Sequence, residues 1–214
     1  KTAEGAKGLS AFIVEKNHPG AKTGRVEHKI GLRGANTGDL VFDNCEIPKE
    51  NILGQEGGGL AVALKTVSES GRPGMAATAL GIINACLEEA AKFASERVLY
   101  GKPITSLQAI SFYLAEIYTE LDICRLLCYR ASWMKDQNMR CDTENAMAKS
   151  YTCDAAVQCA RKAVEIHGSY GILQEYKVQR LLRDAMVTVP AGGTGQIGKV
   201  VLARAALAPY RKKK

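Results

Sequence analysis

The segment Gly193-Thr194-Gly195-Gln196-Ile197-Gly198 matches G-x-G-x-x-G, follows the β-like run Met186-Val187-Thr188-Val189 and precedes a helical pattern. A dinucleotide fold built on it needs a second strand and an acidic residue ~20 positions further on to hold a ribose. Only 16 residues follow Gly198 and none is acidic, so length alone excludes that fold. What remains is a glycine-rich turn at a helix N-terminus. Its unpaired N–H groups, with Thr194 and Gln196 as further donors, suit an anionic phosphate group, and they suit ordinary helix capping equally well. His167-Gly168-Ser169 sets a base type beside a nucleophile type. Sequence neighbours rarely reach one another in those roles and no Gly-x-Ser-x-Gly elbow exists, so a helix ending at Gly168 is the better explanation. Glu88-Glu89 and Glu116 with Glu120 fall on helical patterns where solvated faces are expected, and no catalytic role is assigned to them. The seven cysteines form an odd set without Cys-x-x-Cys, which suggests neither a disulfide framework nor a zinc site. Cys124 and Cys128 stand one helical turn apart with no His nearby, and read as small core residues in a reducing compartment.

The elements that must position these residues are mostly helical. From Leu9 to about Leu53 the pattern is β, with the runs Ala11-Phe12-Ile13-Val14 and Leu40-Val41-Phe42 separated by turn formers. Two or three short strands cannot stand alone, so this segment is expected to complete a sheet begun elsewhere. The polar start, Lys1 to Gly8, reads as an entry in the middle of a domain. After the joint Gly54 to Gly59 the period changes from two to about 3.6. Leu107, Ile110, Leu114, Ile117, Leu121, Cys124, Cys128 and Ala131 recur at steps of three and four, which predicts a bundle helix. Ala76, Leu80, Ile83, Leu87, Ala90 and Ala94 predict a second, and the small-residue stripe Ala148, Thr152, Ala155, Cys159, Ala163 and Ile166 a third. A fourth, from about Gly195 to Leu207, carries Ile197, Val200, Val201 and Ala205. The fold class is mainly α: a partial β-sheet or barrel segment over 1–53, followed by an up-and-down four-helix bundle over 54–214.

Composition narrows the partners. With 46% hydrophobic and 24% charged residues, the chain reads as ordinary globular protein. Of the formal charge of +7, Arg211, Lys212, Lys213 and Lys214 supply four, leaving +3 for everything before them. Aromatic residues are 6% of the chain and are not interleaved with basic clusters, which argues against nucleic-acid binding. No run approaches the ~20 apolar residues of a membrane span, and the N-terminus has no signal-peptide pattern.

Several separated segments, in order along nearly the whole chain, resemble the acyl-CoA dehydrogenase family. They are Lys29-Ile30-Gly31-Leu32-Arg33 with Thr37, Leu40-Val41-Phe42, Ile47-Pro48 and Asn51-Ile52-Leu53-Gly54; then Arg72-Pro73, Glu96-Arg97-Val98-Leu99-Tyr100-Gly101-Lys102-Pro103 and Gln108-Ala109-Ile110; then Ile166-His167-Gly168-Ser169-Tyr170-Gly171, Arg183-Asp184-Ala185 and Gly193-Thr194-Gly195-Gln196-Ile197. The resemblance implies the end of a middle β domain and a C-terminal four-helix bundle, without the family's N-terminal helical domain and the strand that lies along the flavin ring. It implies FAD as cofactor, an acyl-CoA substrate, electron-transferring flavoprotein as electron acceptor and a homotetramer built as a dimer of dimers. It also implies the bacterial or archaeal cytoplasm or the mitochondrial matrix, with no membrane insertion. Thr194 and Gln196 would approach the FAD pyrophosphate or adenosine part, while Arg97, Tyr100 and Gln108 would reach the FAD of a neighbouring subunit. Glu165 and Ser169 stand at cofactor-contacting positions where the family commonly has Gln and Gly, and an anionic Glu165 would repel a phosphate unless protonated or turned away. Glu69 and Arg72 are the substrate-binding candidates.

Removal of an α-proton from an acyl-CoA needs a base within hydrogen-bond reach. By the resemblance a Glu stands two residues before the Thr of the glycine-rich turn, or else just before the Arg matching Arg72. Here those positions are Gly192 and Gly71, and neither accepts a proton. Glu69 is the nearest alternative, although two residues before Gly71 it points to a different side of a regular helix. The leading expectation is therefore FAD-dependent α,β-dehydrogenation of an acyl-CoA with an unassigned base, either Glu69 or a residue of the N-terminal region that the resemblance implies is absent here. The alternative is a family member that does not dehydrogenate, such as a desulfinase-like enzyme or a silent partner subunit.

Overall fold

The computed structural model describes residues 4–211; the basic tail Lys212, Lys213 and Lys214 and the first three residues of the polar start lie outside them. The chain divides into two compact units, Lys1–Val67 and Ser68–Lys214.

In the first unit, β1 (Ala21–Val26) pairs antiparallel with β2 (Gly38–Phe42), with an irregularity between Thr23 and Val26. The run Ala11–Val14, expected as a strand, makes only an isolated bridge, Phe12 to Ile52. Flanking backbone bonds from Ile13 N to Asn51 O and from Leu53 N to Ala11 O, at 2.9 and 2.8 Å, extend that bridge without a neighbouring ladder. Every residue of β2 is exposed, Leu40 by 72%, so the ribbon buries too little apolar surface to be a finished sheet. The short helix α1 (Gly59–Thr66) belongs with this unit. Its start is tied back by Gly59 N to Leu9 O at 2.8 Å and by Gly57 N to Ser10 Oγ at 2.9 Å.

The second unit is helical. It comprises α2 (Arg72–Glu96), α3 (Gln108–Asp136), α4 (Asp142–His167), α5 (Lys177–Thr188) and α6 (Gly195–Leu207), with a small hairpin of β3 (Val98–Leu99) and β4 (Lys102–Pro103) between α2 and α3. The expected stripes form the core. Ile83, Ala90 and Ala94 of α2, Ile117 and Cys124 of α3, and Thr152, Cys159 and Ala163 of α4 are all fully buried. Alanine and cysteine on facing stripes let the helices approach closely. All seven cysteines are free thiols. Burial pushes Cys124 up to about 11 and Cys159 up to about 12, so these thiols stay protonated and pack as apolar groups.

Two expectations about the bundle are corrected. The β-like run 186–189 is helical: Met186, Val187 and Thr188 end α5, which buries Val178, Leu181, Ala185 and Thr188 against α2 and α4. Tertiary burial of that face outweighs the local β preference of Val187 and Thr188. Conversely, α6 offers little to the core, with Ile197 and Val200 52% and 45% exposed. Its buried residue is Gly198, whose missing side chain leaves room for Ser150 Oγ. The fourth helix of the packed bundle is therefore α5, and α6 lies on α4.

Candidate functional site

The predicted site residues separate to opposite ends of the bundle. At one end, α2 begins after a π-helical turn, Val67–Gly71. A π turn widens the helix and disturbs the regular backbone ladder, and here side chains from other helices meet its carbonyls. Asn145 Nδ2 donates to Ser68 O at 3.0 Å, and Lys135 Nζ donates to Glu69 O at 2.7 Å. Ser68 Oγ donates to Asp142 Oδ1 at 2.5 Å, while Arg140 Nε donates to Asp142 Oδ2 at 2.8 Å. The Ser68 hydroxyl and then Arg140 hold the Asp142 carboxyl below the usual carboxylate range. Glu69 and Arg72 are half-buried on this turn and the helix start that follows it. The regular helix assumed for Glu69 is thus a π turn.

The glycine-rich turn between α5 and α6 comes to the same place. Gly192 has φ +66°, and a Cβ there would lie 2.8 Å from Gly71 O and 3.1 Å from Met75 Cγ. The two positions expected for a base glutamate are therefore in contact, and at Gly192 a side chain is excluded both by the backbone conformation and by a carbonyl that cannot move aside cheaply. The turn is anchored by Lys149, only 3% exposed, whose Nζ donates to Val189 O and to Gly193 O, the latter at 2.8 Å. Burial pulls the Lys149 ammonium below its ordinary value. Val189 follows the last residue of α5, so the cation also sits at the negative end of that helix. Beyond the anchor, Thr194 caps α6, its Oγ1 accepting from Ile197 N at 3.4 Å. Thr194 and Gln196 are exposed, and nothing lies within 4 Å of an added Cβ at Gly193 or Gly195. The backbone N–H groups are thus open to close approach by an anion.

At the other end, Arg97, Glu165 and Ser169 line one cavity of about 220 Å³, with Phe93, Ile104 and His167 in its wall. The Arg97 guanidinium stands 5.5 Å over the Tyr170 ring, and the Phe93 and His167 rings stack at 4.1 Å. His167 Nδ1 meets Ala163 O at 2.8 Å, and burial lowers the imidazole pKa, so the ring is neutral near pH 7. Tyr100, at the β3–β4 turn with φ +53°, is 93% exposed, and Gln108 is exposed at the start of α3. Glu165 is not a bare anion: Arg161 Nε pairs with it at 3.0 Å, and its hydrogen bond with Tyr113 raises that phenol. Glu116 and Glu120 bind across helices, to Lys162 Nζ at 2.7 Å and from Tyr151 OH at 3.0 Å.

The structure thus groups Glu69, Arg72, Thr194 and Gln196, and separately groups Arg97, Tyr100, Gln108, Glu165 and Ser169. Helix α2, of 25 residues, separates the groups by about 37 Å. Asn145, Asp142 and Lys149, which hold the first group, escaped the sequence reading. Their signal was polar residues in phase with a buried stripe, since Asn145, Lys149 and Thr152 follow at steps of four and three.

Comparison with known proteins gives the grouping a family. The acyl-CoA dehydrogenase C-terminal domain profile matches residues 57–207. An acyl-CoA dehydrogenase of Bacillus subtilis (strain 168) is 46% identical over 201 residues, covering 94% of this chain and 53% of the relative. The caffeyl-CoA reductase-Etf complex subunit CarC of Acetobacterium woodii is 40% identical over 200 residues, 94% of this chain and 52% of that protein. The structure of butyryl-CoA dehydrogenase from Megasphaera elsdenii superposes with TM-score 0.93 at 38% identity, covering 95% of this chain and 53% of that one. The chain spans about half the length of the curated relatives it matches. By profile, sequence and fold, it belongs to the acyl-CoA dehydrogenase family.

Proposed function

We propose that the full-length protein carrying this chain is a FAD-dependent oxidoreductase that removes hydrogen from the α and β carbons of an acyl-CoA thioester and passes the electrons to an electron-transferring flavoprotein. The observation that carries this reading is the contact of Gly192 with Gly71, which brings the Glu69 turn and the Thr194 turn to one end of the bundle. Glu69 is the residue proposed to take the α-proton, and Arg72, three residues on, the cation for the thioester's anionic part. Bound FAD would supply the hydride acceptor for the β-carbon. The open N-terminus of α6, with Thr194 and Gln196, fits the cofactor's diphosphate or adenosine part.

Arg97, Tyr100 and Gln108 lie beyond the far end of α2, too distant to serve the same cofactor molecule as Thr194 in one chain. A second copy must therefore supply them. Pairing of Glu165 with Arg161 removes the repulsion that a bare carboxylate would exert on a nearby phosphate. The exposed face of α3, with Phe112, Tyr118, Leu126, Tyr129 and Trp133 each more than half exposed, suits burial between bundles in a tetramer. Among the described residues no helix is long and apolar enough to cross a membrane. The relatives are named as dehydrogenases and a reductase-Etf subunit, which supports redox chemistry on acyl-CoA over a silent or desulfinating role.

Anaerobic titration of the FAD-loaded full-length protein with saturated acyl-CoA thioesters tests the proposal. Bleaching of the long-wavelength flavin band is expected. An oxidised flavin that persists although thioesters bind tightly would overturn it.

A further inference from the structure

We propose that Asn145 and Lys149 are positioning residues that act as one clamp, fixing the approach of the Glu69 turn to the Gly192 turn. They stand four residues apart on one face of α4 and are 2% and 3% exposed, so both point into the protein. Each gives its side-chain donors to backbone carbonyls of a segment that bears one of the two glycine positions. Asn145 holds Ser68 O, within the turn that ends at Gly71; Lys149 holds Val189 O and Gly193 O, on either side of Gly192. The segments so held lie against each other, the Gly192 Cβ direction running into Gly71 O at 2.8 Å. Both segments are irregular backbone, a π turn and a turn with positive φ at Gly192 and Gly193, which without such partners would sample other conformations.

Packing alone does not account for Lys149. Burying an ammonium carries a desolvation cost that a Met of similar length would avoid, and Lys149 forms no ion pair among the described residues. What the ammonium adds is geometry: one charged group donates to the carbonyls of Val189 and Gly193, three positions before Gly192 and one after it. Because the two turns touch, a displacement at one end of the clamp is passed to the other. The clamp thereby sets where the Glu69 carboxylate stands relative to whatever α6 and the turn bind. This inference rests on the function proposed above only through its kinetic arm.

The test uses the FAD-loaded full-length protein and the variants Asn145→Leu, Lys149→Met and Lys149→Arg. Hydrogen exchange is read in peptides covering 67–72 and 189–194. Asn145→Leu and Lys149→Met are each expected to speed exchange in both segments by about tenfold or more. At saturating acyl-CoA, flavin reduction is expected to fall by about 10- to 100-fold, with half-saturation changed by less than about threefold. Lys149→Arg, which keeps charge and donors, is expected to restore the rate to within about threefold of wild type. Loosening confined to the segment each side chain touches, or an unchanged rate of flavin reduction, overturns the clamp. If acyl-CoA thioesters do not reduce the wild-type flavin, the proposed function fails and the exchange pattern alone decides the clamp. If Lys149→Met does not fold, Asn145→Asp, which keeps shape but loses the amide donor, carries the same comparison.

Discussion

The two ends of the bundle are built on opposite principles. Where α2 begins, polar side chains hold backbone: the buried Asn145 and Lys149 and the exposed Lys135 all donate to carbonyls of irregular turns, and a glycine without a side chain closes the contact. Where α2 ends, side chains face an open cavity: Arg97 lies over Tyr170, and Glu165 answers Arg161 at a surface 38% exposed on the glutamate side. The first end is over-determined within one chain, as a site that must hold reacting atoms in register requires. The second leaves Tyr100 93% exposed, as a surface that serves a neighbour would. On the function proposed above, the first end is the rigid half of the site and the second an adaptable half that a neighbouring copy completes.

The comparison breaks most visibly if the rigid end loses its proposed base. Glu69→Gln is expected to slow flavin reduction by acyl-CoA by about 10²- to 10⁴-fold with the flavin still bound, read by anaerobic stopped flow. Gly192→Ala strains a positive φ and drives a Cβ onto Gly71 O, and is expected to destabilise by about 2–3 kcal/mol in denaturant unfolding. Gly195→Ala, with nothing within 4 Å, sharpens the contrast by costing under about 0.5 kcal/mol.

At the adaptable end the largest effect is one of pH. Burial depresses His167 below its ordinary 6.5, so the unfolded chain takes up the proton more readily than the folded one. The associated stability is fully present above pH 6.5 and is lost as pH falls through the lowered folded value. Melting temperature is expected to drop over that window, and His167→Phe is expected to flatten the slope while keeping the stack on Phe93. A small effect belongs to the surface bridge from Lys177 Nζ to Glu89 at 2.6 Å: Lys177→Ala is expected to cost less than about 1 kcal/mol in denaturant unfolding.

The long helices were legible because burial imposes a period, and the stripes of α2, α3 and α4 keep it over many turns. The end of helix α5 was hidden by Val187 and Thr188, whose local preference is for strands and whose helical state is decided by burial against α2 and α4. The exposed Ile197 and Val200 show the converse, since a stripe in sequence does not say what covers it. Of the site, the open turn at Thr194 and the glycines at 71 and 192 could be read directly. Their contact could not, because it joins residues far apart in sequence through backbone alone. Asn145 and Lys149 were invisible for a related reason: a polar residue on a buried stripe reads as an interruption until the carbonyl it serves is known.

In the function proposed above, each flavin site joins the rigid end of one copy to the adaptable end of another, and subunit complementation decides between that arrangement and a site held within one copy. Full-length chains carrying Glu69→Gln and chains carrying Arg97→Ala are each expected to be inactive with acyl-CoA. Co-refolded at equal amounts, they are expected to recover about a quarter of the wild-type rate, because half the pairs are mixed and each mixed pair holds one intact site. A mixture that stays as inactive as its parents would contradict the account.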